Sequence, residues 1–143
     1  MKNQEFIDGI YQNTSTAVQS INDLYPKVKS ANLKKMLKEQ EKGYLSIQEK
    51  CKKVAEELGE KPKDINFFEK ARLWTSINIG TITDTSARHL AEMMTIGSLM
   101  GIINCYKLMS DFKLCNEKIH KICQELVELE EKYLEDLKIY LKK

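Results

Sequence analysis

Gly80-Thr81-Ile82-Thr83-Asp84-Thr85-Ser86 is the stretch on which the fold turns. Without a break there, the helical pattern that begins near Asn66 would run on to Asp111 as one rod of roughly 68 Å, at 1.5 Å per residue. The first helical stretch of the chain comes to only about 40 Å, so nothing would cover the overhang. A glycine followed by small polar residues supplies the break, and Asp84 to Ser86 can cap a new helix over 86–111.

On either side, apolar residues recur three and four apart, the spacing of helices that share a narrow seam. The seam Ile7, Ile10, Thr14, Ala17, Ile21, Leu24, Val28 predicts a first helix over 3–28, with Pro26 as a kink or the start of a turn. Leu33, Leu37, Gln40, Tyr44, Ile47, Cys51, Val54, Leu58 predict a second over 31–58, opened by Ser30 as N-cap and closed by Gly59. Cys115, Ile119, Ile122, Leu126, Leu129, Tyr133, Leu137, Tyr140 predict the last over 114–141. The links near 29–31 and 111–114 are short and make antiparallel hairpins. The link between the second and third helices has about 27 residues and a short helix of its own, opened by Asn66 and Glu69 as a loose capping box. It is long enough to lay those two helices parallel. The expected fold is all-α, an up-down four-helix bundle with a long helical crossover between helices 2 and 3, in a single domain over 1–143.

The composition agrees with one ordinary core: 143 residues, 42% hydrophobic and 31% charged. The net charge is +2, and every basic residue except Arg72 and Arg88 is lysine. That is a poor endowment for reading phosphates or bases, so a nucleic-acid partner is not expected. The opening MKNQEFIDG has neither the basic start nor the apolar run of a signal peptide, and no apolar stretch of about 18 residues follows. A cytoplasmic protein without a membrane partner is the expectation. Cys51, Cys105, Cys115 and Cys123 are spaced as neither a CxxC pair nor a secreted disulfide framework, so reduced thiols are expected.

The end of the second helix, Glu56-Glu57-Leu58-Gly59-Glu60-Lys61-Pro62, the long link, and Ala91-Glu92-Met93-Met94 followed by Gly97 resemble the ferritin-like superfamily. In particular the chain resembles small bacterial ferritin-like domains of unknown function, over nearly its whole length as a pattern of helix lengths. For iron-handling members the resemblance implies a glutamate from each of two helices and a Glu-x-x-His pair from each of the other two. This sequence has one such pair, Glu117 and His120, and with Ile119 and Ile122 on the seam both fall away from it. The second helix carries Glu41-Lys42-Gly43-Tyr44, with tyrosine where the histidine would be, and the first has Thr14 and Ala17 where a carboxylate is wanted. The expected inner layer is therefore Thr14, Gln40 and Tyr44, neutral groups that hydrogen-bond one another and fix register.

A complete di-metal site and a resident cofactor are accordingly not expected. Iron, manganese or zinc would need a non-standard site, for which His89 and Glu92, three apart on one helix face, are the candidates, with Glu41 and His120 from elsewhere. An ordinary ion-pair ladder through Asp84, Arg88 and Glu92 accounts for the same cluster.

Between Met93 and Tyr106 there is no charged residue, and apolar side chains lie all round the helix. Such a helix needs cover on every side, from the crossover through Phe67, Phe68, Trp74, Ile77 and Ile79 or from a second copy of the chain. Gly97 and Gly101, four apart, would let another backbone approach, so a homodimer interface is expected at Met93, Ile96, Gly97, Met100 and Gly101. The uncharged run of 14 residues is too short to span a bilayer. The functional expectation is a non-enzymatic binding or structural protein acting as a homodimer. The alternative is a metal-binding or redox protein with a site around His89 and Glu92. A third reading is a small-ligand protein whose interior is lined by Tyr11, Tyr44, Trp74 and Met94.

Overall fold

The structure, a computed structural model, describes residues 2–60 and 82–142. These form four long helices, α1 (Lys2–Leu24), α2 (Ala31–Glu57), α3 (Ala87–Asp111) and α4 (Glu117–Leu141), with no strand among the described residues. The crossover helix expected from Asn66, with Phe67, Phe68, Trp74, Ile77, Ile79 and Gly80, lies outside the described residues.

The helix ends are set by local chemistry. Pro26 has no N–H to continue the ladder, so α1 ends at Leu24 and not at 28, and a 3-10 turn over Tyr25–Lys27 follows, with the Val28 N–H donating to the Tyr25 carbonyl at 3.2 Å. Ser30 caps α2 by accepting from the Leu33 N–H at 3.2 Å. At its other end Gly59 has φ +71°, and the Glu60 and Gly59 N–H groups donate to the Ala55 and Glu56 carbonyls. Those two bonds are the Schellman closure, and the left-handed backbone at Gly59 is what glycine supplies without strain. Ser86 caps α3 by accepting from the His89 N–H, and Asp84 in turn accepts from the Ser86 N–H at 2.9 Å. That bond holds the Asp84 carboxyl below its usual range. The fourth helix starts at Glu117, three residues later than expected, because the Asn116 side chain caps it through the Lys118 N–H. The Asn116 N–H is taken by the Asn3 side chain at 3.0 Å.

Contacts between helices fix their directions. On α1, Gly9 meets Leu108 and Asn13 meets Gly101 and Cys105, so α1 and α3 run oppositely. On α2, Gln40 meets Tyr133, Lys50 pairs with Glu125, and Glu57 pairs with Lys118, so α2 and α4 also run oppositely. With the short α1–α2 turn, the order is up, down, down, up, and α2 and α3 are parallel. The four helices share one core, in which Phe6, Leu33, Leu37, Leu90, Leu126 and Leu137 are fully buried. Each such side chain contributes about 1.5–3 kcal/mol by leaving water.

At the end of the bundle holding the α3–α4 turn, Phe6 stacks on Phe112 with ring centroids 5.4 Å apart, and His120 meets the Phe6 ring edge-on at 4.8 Å. His120 Nε2 donates to the Phe112 carbonyl at 3.0 Å, which places the ring hydrogen on that nitrogen. This histidine fastens a turn.

Candidate functional site

Small residues on two facing helices leave room between them. On α1 these are Gly9, Asn13, Thr16, Ala17 and Ser20, and on α3 they are Gly97, Ser98 and Gly101. The result is a cleft of about 430 Å³, within the range of small-molecule sites. Its apolar wall comes from Ile21 and Leu24 on one side and Met93, Met94, Met100 and Leu108 on the other. Asn13 ties the two helices together, its Nδ2 donating to the Gly101 carbonyl at 3.0 Å and reaching Cys105 Sγ at 3.5 Å. A Cβ added at Gly97 would meet nothing within 4 Å among the described residues.

The cleft is polar at its floor, where α2 supplies Gln40 and Tyr44 and α4 supplies Glu130. Glu130 is 1% exposed and Gln40 2%. Neither is satisfied: Glu130 Oε1 and Gln40 Nε2 are buried with no hydrogen-bond partner among the described residues. Native interiors leave few such atoms, and each costs about 1–3 kcal/mol. Burial, followed by the nearby Cys123 thiol, pushes the Glu130 carboxyl up to about 9, so it is protonated at neutral pH. The Tyr44 phenol, also raised by burial, meets the Tyr133 ring edge-on at 5.4 Å. Room for the Glu130 carboxyl exists because residue 101 is glycine: a Cβ there would lie 2.0 Å from Oε2.

The residues singled out by sequence are distributed differently. Thr14 is fully buried, but its hydroxyl donates within its own helix, to the Tyr11 carbonyl at 2.9 Å. Gln40 and Tyr44 do face inward, yet the layer they form is not self-satisfied, because Gln40 Nε2 is left over. His89 and Glu92 stand together, Nδ1 to Oε1 3.3 Å, at the surface of the first turns of α3, with Glu92 60% exposed. Glu41 pairs with Lys38 at 3.6 Å, and His120 is at the opposite end of α3 from His89, roughly 35 Å away at 1.5 Å per residue. The four candidates are thus not brought together, and among the described residues no three His, Cys, Asp or Glu side chains share a position that could hold a metal ion. Glu117 is exposed, and Tyr11 belongs to the core. Trp74 lies outside the described residues.

Of the expected interface residues, Ile96 and Met100 are half exposed, while Gly101 is buried against Glu130 and faces the bundle interior. Met93, Gly97 and Met100 border the cleft. All four cysteines are free, with Cys51, Cys105 and Cys123 buried. Among the described residues no helix is long and apolar enough to cross a membrane. Comparison with protein-family models, curated proteins and solved structures gives no match to this chain.

Proposed function

We propose that this chain is a non-enzymatic binding protein on a ferritin-like bundle, acting as a homodimer, and that it holds a small, largely apolar molecule in the cleft between α1 and α3. One observation carries the reading: two buried polar atoms without partners among the described residues, Glu130 Oε1 and Gln40 Nε2, sit at the floor of a cleft of about 430 Å³. A bundle needing only a core would gain stability by replacing them with apolar groups. The parallel course of α2 and α3 supports the ferritin-like part. The exposed stripe Ile96, Leu99, Ile103 and Tyr106 on α3 supports the dimer.

The test is a titration with the uncharged fluorophore N-phenyl-1-naphthylamine. The native chain should bind it saturably, and Gly97→Leu, at a position where an added Cβ meets no described residue, should weaken binding at least about ten-fold with no loss of thermal stability. Equal binding by the two proteins would refute the cleft as the site. Light scattering that returns a monomer would remove the dimer.

A second reading, a metal-binding or redox protein, rests on the His89–Glu92 pair. It requires iron, manganese or zinc at one equivalent per chain in protein purified without chelator, lost in His89→Ala.

A further inference from the structure

We infer that the floor of the cleft recognises an uncharged head group able both to donate and to accept hydrogen bonds, a hydroxyl or a carboxamide, carried on an apolar body. The inference rests on the cleft reading above and narrows it to a ligand class. Gln40 Nε2 is a donor and needs an acceptor. Glu130 Oε1 belongs to a carboxyl that can accept or, when protonated, donate. A hydroxyl answers both with one atom, and a carboxamide with two.

Charged heads fit worse. An ammonium has no lone pair for Gln40, and beside a carboxyl that burial keeps neutral it would be buried without a counter-charge. A carboxylate would come to rest beside Glu130 with no lysine, arginine or histidine among the described residues that line the cleft to balance it. The rim repeats the pattern, since Gln12, Asn13, Thr16, Ser20 and Asn104 are polar and neutral. The walls of Met93, Met94, Met100, Leu108 and Leu24 suit a flexible apolar body, with methionine adapting to its shape.

The experiment uses four probes that share one chain: 1-octanol, octanamide, octylamine and sodium octanoate. Each is titrated at pH 7 into the full protein carrying 13C-methyl methionine, so that Met93, Met94 and Met100 report on the cleft. Octanol and octanamide should move these methyl signals and bind at least about ten-fold more tightly than octylamine or octanoate. Glu130→Leu, which keeps the volume and should unfold at or above the native temperature, should erase that preference, as measured by the ratio of octanol to octylamine affinity. If octylamine binds best, or all four bind alike, the head-group assignment is wrong while the cleft stands. If no probe moves the three methyls, the cleft reading and the inference fall together.

Discussion

Replacing Glu130 with glutamine should abolish a fall in stability of about 1.4 kcal/mol per pH unit that the native chain suffers between about pH 4.3 and 9. The sign follows from the direction of the shift. Below about pH 4.3 the carboxyl is protonated in both folded and unfolded chains and contributes no slope. Above it the unfolded chain gives up the proton, while the folded chain, whose Glu130 is raised to about 9, keeps it. The unfolded state then binds one proton fewer, so unfolding becomes easier as pH rises, until both forms are ionised. The groups facing Glu130 do not reverse this: Tyr44 on α2, Cys105 on α3 and Tyr133 on its own helix are all pushed up by burial and neighbouring groups and stay neutral in this range, Cys123 lies beside it on α4, and the cleft face of α1 offers Gln12 and Asn13. Urea unfolding of native and Glu130→Gln chains at pH 5 to 9 gives the answer directly. The difference between the two curves should change by several kcal/mol across that window, and parallel curves would show that Glu130 is not held neutral.

Gly43→Ala should destabilise the bundle by about 1–3 kcal/mol, although alanine is the better helix former by about 1 kcal/mol. A Cβ at this position would lie 2.0 Å from the Tyr133 hydroxyl and 3.0 Å from Leu129 Cδ2. Tyr133 is 4% exposed, its hydroxyl donates to the Gln40 carbonyl at 3.2 Å, and its rigid ring is set against Tyr44. It has nowhere to retreat. Removing the hydroxyl should relieve the clash, so Tyr133→Phe, which alone costs about 1 kcal/mol for the lost hydrogen bond, should restore stability in the Gly43→Ala background. A coupling of at least about 1 kcal/mol in this double-mutant cycle is expected. Gly43→Ala as stable as the native chain would mean that α2 and α4 are farther apart than described.

Two glycines on different helices thus work by admitting a polar atom from α4, and the sequence gives no sign of it. Each derives its meaning from a partner far along the chain, Tyr133 for Gly43 and Glu130 for Gly101. Gly101 reads in sequence as half of an outward pair with Gly97. Only the fold separates them, one opening on the cleft and the other pressed against a carboxyl. Helix ends were far more legible, because Ser30, Gly59 and Ser86 act on residues within four positions of themselves. Pro26 was legible too, as a turn but not as the end of α1.

Glu130 was missed for a different reason. The buried positions Ile119, Cys123, Leu126, Glu130, Tyr133, Leu137 and Tyr140 step by four and three without interruption. The apolar set Ile119, Ile122, Leu126, Leu129, Tyr133 steps by three and four just as regularly, so spacing alone does not choose Glu130 over Leu129. An acid on an otherwise unbroken seam is the signal that could have found the site.

The up-down-down-up course also bears on the order in which the chain consolidates. Within the α3–α4 hairpin, Cys123 reaches the Cys105 carbonyl across 18 residues, and within the α1–α2 hairpin Gln48 reaches Ser15 across 33. Asn13 and Gly101, which join the two hairpins beside the cleft, are 88 apart. Closing the longer loop costs more chain entropy, so the halves should form early and their meeting line late. Native-state amide exchange would register this as weaker protection for contacts between the hairpins than for those within each hairpin. The cavity would then occupy the most yielding line of the molecule, where a guest can enter without either half coming apart.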